Sequence, residues 1–249
     1  MPKAILTGAS SGVGYALACE LADHGYDLGL MARRVGPLEE LRKTLPVRVA
    51  VQSSDFLNPD KALQDFRALW NSMGGAELVI LNAGVNHRND ALDWELDRAM
   101  IDVNIRAFVA LADEACCHFL KNGGGHLVGV SSIAAVRGVG KAPVYGATKA
   151  FISNFLQGLR QRLTAECPEV TVTDIRPGYV NTAMIEHAPI KFWVASPEKV
   201  AGQIIEAIRK KKSAVYITHR WTWVAAVFWL LPERLVSWGY AKFARKKSS

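Results

Sequence analysis

Residues 3–14 read KAILTGASSGVG, and this stretch is the most direct indication of the fold. A short apolar run over residues 3–7 passes through a glycine-rich turn into a segment of helical period that begins at Val13. Glycines in such a turn let the backbone approach a pyrophosphate closely, and the free N–H groups at the start of a helix bind anions. The glycines alone would suit any strand-to-helix turn, but between a first strand and a first helix they favour dinucleotide binding.

Outward from this turn, short apolar runs alternate with longer segments of helical period. Strands are predicted over residues 3–7, 27–32, 47–52, 78–82, 126–131, 170–175 and 214–217. Helices are predicted over residues 13–24, 37–45, 59–72, 92–120, 144–165 and 197–210. This alternation is typical of βαβ units, which place ligands at the carboxyl ends of parallel strands. We therefore predict an α/β fold, a single doubly wound Rossmann-type domain with a seven-stranded parallel sheet over residues 1–218, and a C-terminal aromatic and basic extension over residues 219–249.

The basic charge of the chain is concentrated in its last part. The 249 residues carry a formal net charge of +7. Residues 1–208 hold 20 basic and 22 acidic residues, whereas residues 209–249 hold ten basic residues and one acidic residue. Half of the chain is apolar and 21% is charged, which excludes the disordered, collagen-like and disulfide-scaffold classes. Because the body is close to neutral, we expect no nucleic-acid partner.

The four cysteines indicate reduced thiols. They form no CxxC pair and have no metal-ligand spacing with histidine, so we predict no metal site. Reduced thiols are typical of a cytoplasmic protein. The first strand begins at residue 3, and we expect no signal peptide. The longest apolar run, residues 221–231, is shorter than the roughly 20 residues that a membrane-spanning helix needs.

The end of the second predicted strand indicates which dinucleotide binds. A carboxylate there would bond the ribose 2′-hydroxyl of NAD, whereas an arginine would pair with the 2′-phosphate of NADP. Arg33 and Arg34 follow Ala32 with no acid between them, so NADP(H) is preferred, with a solvated helix face as the alternative. Asp55 follows the third strand, where its side chain could meet the adenine. A helix cap is an equally good interpretation of Asp55.

Tyr145 and Lys149 suggest acid–base chemistry. Residues four apart on a helix share a face, and a nearby ammonium favours the phenolate, which lowers the pKa of the tyrosine. Such a pair is often only a solvated helix face. Here, however, three predicted strands end in polar or small residues that should meet at one sheet edge, namely Ser131-Ser132, Asn82-Ala83-Gly84 and Arg176-Pro177-Gly178.

Several short motifs occur in order along the chain. They are Thr7, Gly8, Gly12 and Gly14 (Thr-Gly-x-x-x-Gly-x-Gly), Asn82, Ala83 and Gly84 (Asn-Ala-Gly), and Tyr145 and Lys149 (Tyr-x-x-x-Lys). In these motifs residues 3–217 resemble the short-chain dehydrogenase/reductase family. By the resemblance, the serine of the family falls on Ser132 rather than Ser131, and its helix asparagine falls on Asn104. Its Pro-Gly segment falls on Pro177 and Gly178.

The resemblance implies a reaction and assigns roles in it. Tyr145 would exchange a proton with the substrate oxygen while a hydride moves between the reacting carbon and the nicotinamide. Ser132 would orient that oxygen. Lys149 would lower the tyrosine pKa and hold the nicotinamide ribose, and Asn104 would position a water that relays protons to Lys149. The implied catalytic residues are Tyr145, Lys149, Ser132 and Asn104.

The resemblance also implies where the cofactor is held. Thr182 and the backbone at Val180 would bind the carboxamide, and Arg33 is a better candidate for the 2′-phosphate than Ser11 or Arg34. The full set of cofactor-binding residues is Gly8, Ser10, Ser11, Gly12, Val13, Gly14, Arg33, Arg34, Asp55, Asn82, Ala83, Gly84, Tyr145, Lys149, Pro177, Gly178, Val180 and Thr182.

Apolar side chains follow the sixth predicted strand and fill the extension. Residues 184–195 are expected to wall the substrate pocket, through Met184, Ile185, Ile190, Phe192, Trp193 and Val194. A mobile lid that simply packs explains them equally well. We expect His187 at the surface or the pocket rim.

The extension contains Trp221, Trp223, Trp229 and Trp238 and closes with Arg245-Lys246-Lys247. Such residues suit a membrane surface, and packing on its own subunit or on a dimer partner is the alternative.

Together these patterns predict an NADP(H)-dependent oxidoreductase. It would interconvert a carbonyl and a secondary alcohol on a lipophilic or acyl-type substrate, the reaction class EC 1.1.1. The alternative is a non-catalytic NADP-binding sensor or scaffold protein that retains the fold. Ser132, Tyr145, Lys149 and Asn104 together argue against that alternative. We expect a cytoplasmic homodimer or homotetramer, with peripheral membrane contact through residues 219–249 as one interpretation of the tail.

Overall fold

Seven parallel strands form one sheet in this computed structural model, which describes residues 1–185 and 192–245. The strands are β1 (Lys3–Thr7), β2 (Asp27–Ala32), β3 (Val49–Ser53), β4 (Leu78–Leu81), β5 (Gly125–Val130), β6 (Val170–Pro177) and β7 (Ala214–Ile217). Their order in the sheet is β3-β2-β1-β4-β5-β6-β7. The predicted doubly wound sheet is confirmed, and the winding direction reverses between β1 and β4, where ligands bind in this architecture.

Helices cover both faces of the sheet. Within the described residues they are α1 (Gly12–Asp23), α2 (Gly36–Thr44), α3 (Pro59–Met73), α4 (Trp94–Ile101), α5 (Phe108–Asn122), α6 (Pro143–Glu166), α7 (Pro197–Arg209), α8 (Trp221–Leu230) and α9 (Glu233–Arg245). The single helix predicted over residues 92–120 is divided, because a π-helical segment, Asp102–Ala107, separates α4 from α5. Wide turns of this kind are frequent at functional sites.

The strand side chains alternate between two hydrophobic cores. Leu6 packs on the face that α1, α2 and α7 cover, and its neighbour Ile5 packs on the face that α3, α5 and α6 cover. Both side chains are fully buried. A parallel sheet buried on both faces is a rigid base, so the loops at its carboxyl edge are held in fixed positions.

The beginning of α8 packs on the body of the protein. Trp221 is 3% exposed, and its ring contacts the rings of Tyr179 and Phe192. Ala225, one turn further along α8, is also buried. The predicted extension is therefore a pair of helices, and the first of them packs on its own subunit. Within the described part of the chain, no helix has both the length and the apolar character needed to cross a membrane.

Arg137 fixes the other end of α8. Its guanidinium donates hydrogen bonds to the backbone carbonyl oxygens of Phe228 at 2.8 Å, Trp229 at 3.0 Å and Leu231 at 2.6 Å. The last carbonyls of a helix have no partner within the helix, and a cation there also complements the helix dipole. Arg137 lies in the loop between β5 and α6, so this loop and α8 are joined directly.

Candidate active site

A large open cleft lies at the carboxyl edge of the sheet. Its volume is about 1250 Å³, whereas a pocket for one small ligand has roughly 300–1,000 Å³. The cleft therefore has room for a dinucleotide together with a substrate. The predicted site residues that line it are Gly8, Ser10, Ser11, Gly12, Val13, Gly14, Arg33, Arg34, Asp55, Asn82, Ala83, Gly84, Ser132, Tyr145, Lys149, Pro177, Gly178, Val180 and Thr182.

The turn between β1 and α1 has a backbone that requires glycine. Gly8 has φ +74°, and a Cβ at Gly14 would lie 2.1 Å from the carbonyl oxygen of Gly8. The hydroxyl of Thr7 accepts hydrogen bonds from the backbone N–H groups of Asn82 at 3.0 Å and Ala83 at 3.1 Å, which joins the ends of β1 and β4. The start of α1 lines the cleft, and its free N–H groups fit a pyrophosphate.

Two arginines stand at the end of the cleft that follows β2. Arg33 and Arg34 are both exposed, and Arg34 donates a hydrogen bond to the hydroxyl of Ser10 at 3.4 Å. A guanidinium binds phosphate oxygens in bidentate fashion, and an exposed one keeps its donors accessible to a ligand. This end of the cleft therefore fits the 2′-phosphate of NADP(H).

Asp55 lies at the cleft and does not cap a helix. Its carboxylate accepts a hydrogen bond from the backbone N–H of Leu57 at 3.2 Å. The residue that caps α3 is Asn58, whose side chain accepts from the backbone N–H of Lys61 at 3.1 Å. The helix-cap interpretation of Asp55 is therefore wrong. Its contact with adenine stays a prediction.

The two serines after β5 have different surroundings. Ser131 is buried, and its hydroxyl donates a hydrogen bond to the Asp174 carboxylate at 2.5 Å, which ties β5 to β6. The hydroxyl of Ser132 accepts from the backbone N–H of Ala134 at 3.1 Å, and it lies close enough to Tyr145 to favour the phenolate and lower the tyrosine pKa. Ser132 rather than Ser131 therefore lies beside the tyrosine, and its role in orienting the substrate oxygen stays a prediction.

Tyr145 and Lys149 lie one turn apart on α6. The Lys149 Nζ is 5.8 Å from the centre of the Tyr145 ring and donates a hydrogen bond to the backbone carbonyl of Val130 at 2.9 Å. Lys149 is buried, whereas Tyr145 is partly exposed in the cleft wall. The hydrogen bond to β5 holds the ammonium behind the tyrosine, on the sheet side of the cleft.

Burial changes the acid–base properties of both residues. It lowers the pKa of Lys149 to about 8, although the Asp174 carboxylate acts in the opposite direction. It raises the pKa of Tyr145, and the nearby Ser132 side chain offsets this only in part. The lowered tyrosine pKa that we expected is not found, because the loss of hydration of the phenolate is the larger effect. Tyr145 is therefore protonated at neutral pH.

Asn104 is brought close to this group but does not line the cleft. It is fully buried in the π-helical segment. Its amide nitrogen donates to the Val85 carbonyl at 2.9 Å and to the Thr148 hydroxyl at 3.1 Å, and its oxygen accepts from the Val85 N–H at 2.9 Å. A Cβ on Gly84 would lie 3.2 Å from that oxygen and 3.3 Å from the Lys149 Nζ. The water relay assigned to Asn104 stays a prediction.

Residues after β6 close the cleft opposite the glycine turn. A Cβ at Gly12 would lie 2.9 Å from Cγ2 of Thr182, so Thr182 lies directly over the turn. Val180 forms a parallel bridge with Ala195, which holds this segment against the start of α7. At Gly178 a Cβ would collide with the indole of Trp221, so the close packing of α8 requires glycine there.

The substrate side of the cleft is mainly apolar, and some of its side chains were not predicted from the sequence. From the predicted segment 184–195, Met184, Ile185 and Phe192 line the cleft. Added to these are side chains of α8 and α9 that were not predicted, namely Trp221, Val224, Phe228 and Tyr240. Apolar residues at positions 221, 224 and 228 share a helix face, and this spacing could have indicated that α8 lines the cleft.

The predicted positions His187, Ile190, Lys246 and Lys247 lie outside the described residues. Among the described residues, no group of three His, Cys, Asp or Glu side chains could hold a metal ion.

Comparison with known proteins assigns the family. A family model described as short chain dehydrogenase matches residues 2–191, well over half of the chain. The chain belongs to the short-chain dehydrogenase/reductase family. This short-chain dehydrogenase/reductase is accordingly an oxidoreductase with a nucleotide-binding Rossmann-type fold, as the sequence motifs predicted.

Relatives and solved structures resemble this short-chain dehydrogenase/reductase over most of its length. An uncharacterised oxidoreductase of Mycobacterium tuberculosis is 31% identical over 243 residues, which are 94% of this chain and 95% of the relative. A short-chain dehydrogenase from Sphingobium yanoikuyae in complex with NADPH has a TM-score of 0.79 at 23% identity, covering 99% of this chain and 94% of that one. A 3-oxoacyl-[acyl-carrier protein] reductase from Brucella melitensis in complex with NAD has a TM-score of 0.74 at 26% identity, covering 86% and 94%.

Proposed function

We propose that this short-chain dehydrogenase/reductase uses NADP(H) to interconvert a carbonyl and a secondary alcohol on a lipophilic or acyl-type substrate. The observation that carries the proposal is that Tyr145, with Ser132 beside it and Lys149 5.8 Å from its ring centre, lines the same cleft as the glycine turn and a set of apolar side chains. A proton donor beside a hydrogen-bonding hydroxyl is what a carbonyl oxygen needs as it becomes an alcohol.

The choice of NADP(H) rests on the chain's own residues, since the solved relatives carry both NADPH and NAD. Arg33 and Arg34 supply two exposed cations where the 2′-phosphate would lie, and no carboxylate follows β2 to bind a 2′-hydroxyl. Gly8 and Gly14 leave room for the pyrophosphate at the start of α1. When bound, the cofactor supplies or accepts the hydride.

The proton chemistry belongs to the protein. Tyr145, protonated at neutral pH, would donate its proton to the substrate oxygen during reduction, and Ser132 would hold that oxygen by a hydrogen bond. The Lys149 ammonium would stabilise the phenolate that remains. In the oxidation direction the same groups would act in reverse, with the tyrosine as the base.

The lipophilic character of the substrate is inferred from the apolar side chains that line the cleft together with Tyr145. The side chains there are apolar or aromatic, and they come from the loop after β6, from α8 and from α9. Apolar walls with few polar groups select ligands by shape and by burial of hydrocarbon. A substrate with a hydrocarbon or acyl portion next to its carbonyl suits this arrangement.

The decisive experiment is an NADPH oxidation assay with the purified full chain. Ketones, aldehydes and diketones of graded chain length are tested as substrates, and NADPH and NADH binding is measured in parallel by fluorescence. We expect turnover that increases with chain length and that prefers NADPH. Tight NADPH binding with no turnover across the panel would instead identify a sensor or scaffold protein.

The roles of the two parts of the chain, their membrane contact and their assembly are also proposals. We propose catalytic and cofactor-binding functions for residues 1–218, peripheral membrane contact for residues 219–249, and assembly into a homodimer or homotetramer in the cytoplasm. The support for membrane contact is the concentration of basic and aromatic residues in the tail. Sedimentation velocity of the full chain measures the number of subunits.

A further inference from the structure

The helix α8 is apolar on every side although only one side is packed. It contains no charged residue. Trp221 and Ala225 face the body and are buried, whereas Trp223 is 79% exposed, Trp229 74% and Leu230 73%. A helix that is apolar all round is normally buried all round. The outer side of α8 therefore needs a partner that the described chain does not supply.

The same apolar surface surrounds the mouth of the cleft. Phe192, Phe228 and Tyr240 line the cleft and are also exposed, so they stand at its opening. We call the exposed aromatic residues of this region the aromatic rim, and they are Phe192, Trp193, Trp223, Phe228, Trp229 and Tyr240. Exposed apolar patches of this kind mark sites of interaction with proteins, ligands or membranes.

Cations accompany the rim. The Arg220 guanidinium lies 5.3 Å from the centre of the Trp193 ring, and the Lys242 ammonium lies 5.0 Å from that of Trp238. Among residues 219–242, Arg220, Arg234 and Lys242 are exposed cations, and Glu233 is the one acidic residue. Tryptophan rings at headgroup depth, flanked by lysine and arginine, are typical of segments that lie in the surface of an anionic membrane.

The positive charge beside the rim favours a membrane over a second copy of the chain as the partner. A two-fold dimer through α8 would place the same patch face to face, and with it Arg220 and Lys242 of both copies. Like charges brought together in this way repel, whereas anionic lipid neutralises them. The ten residues of α8 are too few to cross a bilayer, so the helix would lie in its surface.

We propose that the aromatic rim docks on an anionic membrane and that the active site takes its substrate directly from the bilayer. The inference rests on the proposed function, because it identifies the substrate as a membrane-partitioned amphiphile whose carbonyl or hydroxyl group reaches Tyr145. The hydrocarbon part passes between Phe192 and Phe228 at the mouth of the cleft. Arg137 holds α8 to the loop between β5 and α6. Docking therefore leaves the mouth of the cleft in a fixed position relative to Ser132 and Tyr145.

Vesicle co-sedimentation of the full chain tests the docking. Phosphatidylcholine vesicles with and without phosphatidylglycerol are compared for the wild type, the double variant Trp223→Ser/Trp229→Ser, and Trp94→Ser. Trp94 is an exposed tryptophan outside the rim and the cleft and is the matched control. We expect the wild type and Trp94→Ser to bind the phosphatidylglycerol vesicles, and the double variant to bind about tenfold more weakly.

A charge-reversal variant provides a second, independent test. Arg234→Glu/Lys242→Glu alters two exposed cations of α9 and leaves every rim residue in place. Its binding to the anionic vesicles should fall by about tenfold, and high salt should weaken the wild type in the same way. Equal binding of all variants overturns the proposal. So does a dimer in sedimentation velocity that Trp223→Ser/Trp229→Ser dissociates, because the rim would then bind a second copy.

Two ketones separate the supply of substrate from the reaction itself. Acetophenone is offered in water and laurophenone, which has a long alkyl chain, in phosphatidylglycerol vesicles. We expect Trp223→Ser/Trp229→Ser to keep the acetophenone rate, which also shows that it is folded, and to lose about tenfold with laurophenone. An equal laurophenone rate in the two proteins overturns supply from the bilayer. If the wild type reduces neither ketone, the proposed reaction is overturned, and so is the supply of substrate from the bilayer. That result is independent of whether the protein binds the vesicles.

Discussion

At the scale of single residues, the chemistry of the cleft depends on how burial affects Tyr145 and Lys149. Desolvation disfavours the charged form of each, so it raises the pKa of Tyr145 and lowers that of Lys149 to about 8. At neutral pH the cleft therefore holds a phenol that can donate a proton and an ammonium close to its own titration. This state is suited to reduction of a carbonyl.

Removing the phenol should stop the reaction without removing the cofactor site. We expect Tyr145→Phe to lower kcat for carbonyl reduction by about a hundredfold to ten-thousandfold, because the general acid is lost. The ring that lines the cleft is kept, so NADPH affinity should stay within about twofold of the wild type. Steady-state kinetics and NADPH fluorescence measure the two effects. Tyr26→Phe, outside the cleft, is the control, and full activity in Tyr145→Phe would refute the assigned role.

The preference for NADPH should depend on Arg33. A charge-assisted hydrogen bond contributes about 1.5–3 kcal/mol, so Arg33→Ala should raise the Kd for NADPH by roughly tenfold to a hundredfold and leave that for NADH nearly unchanged. Titrations of both cofactors measure the difference. Arg48→Ala removes an exposed arginine away from the cleft and should change neither Kd. Equal losses for the two cofactors would contradict a 2′-phosphate site.

The pH dependence of reduction should follow Lys149. Its pKa is lowered to about 8, so the ammonium is present below that pH and is lost as the pH rises through it. Tyr145 stays protonated over the same interval, because its pKa is raised. We expect kcat/KM for carbonyl reduction to fall above about pH 8, and the fall to move to higher pH in Lys149→Arg. A profile that is flat through pH 8 in the wild type would contradict this assignment.

At the scale of elements, α8 is the part of the fold that joins the substrate wall to the catalytic loop. Val224 and Phe228 line the cleft, and three carbonyls at the end of the same helix accept hydrogen bonds from Arg137. Arg137 itself lies between Ser132 and Tyr145 in the chain. Arg137 at one end of α8 and the buried Trp221 at the other therefore hold this part of the apolar wall relative to the reacting groups.

Loss of the Arg137 hydrogen bonds should affect the substrate more than the cofactor. In Arg137→Ala the end of α8 loses its partners, and we expect KM for a long-chain ketone to rise by about tenfold while kcat with a small ketone and KM for NADPH change little. Kinetics with acetophenone and laurophenone measure this division. Arg162→Ala removes an exposed arginine of α6 outside the cleft and is the control. A fall in kcat with both ketones and no change in KM would contradict a positioning role.

At the scale of the whole molecule, the extension is part of the fold as well as a surface for partners. Two tryptophans two positions apart in α8 show the difference, since Trp221 is 3% exposed against the body and Trp223 is 79% exposed. We expect Trp221→Ala to lower the free energy of unfolding by about 3–5 kcal/mol and Trp223→Ala to change it by less than about 0.5 kcal/mol. Denaturant titration of both variants measures this, and similar small changes would show that the tail does not stabilise the body.

The predicted fold and the observed one differ where long-range contacts set the boundaries of elements. β6 extends to Pro177 because Arg176 and Pro177 pair with β7, a contact that the local pattern does not contain. The helix predicted over residues 92–120 is interrupted by the π-helical segment Asp102–Ala107, where the side chain of Asn104 is hydrogen-bonded to the backbone of Val85. Hydrophobic periodicity reports which face of an element is buried, and it carries no information about such partners.

Local patterns in the amino-acid sequence were enough to predict the family, the order of strands and helices, and the residues that meet at the carboxyl edge of the sheet. This was possible because glycine-rich turns and apolar periodicity are local patterns, and parallel strands bring their ends to one edge. The tertiary structure was needed to show that burial raises the pKa of Tyr145, that Asn104 is buried outside the cleft, and that α8 both lines the active site and exposes its outer side. Those properties depend on desolvation and on contacts between residues far apart in the chain, and neither is written in the local pattern.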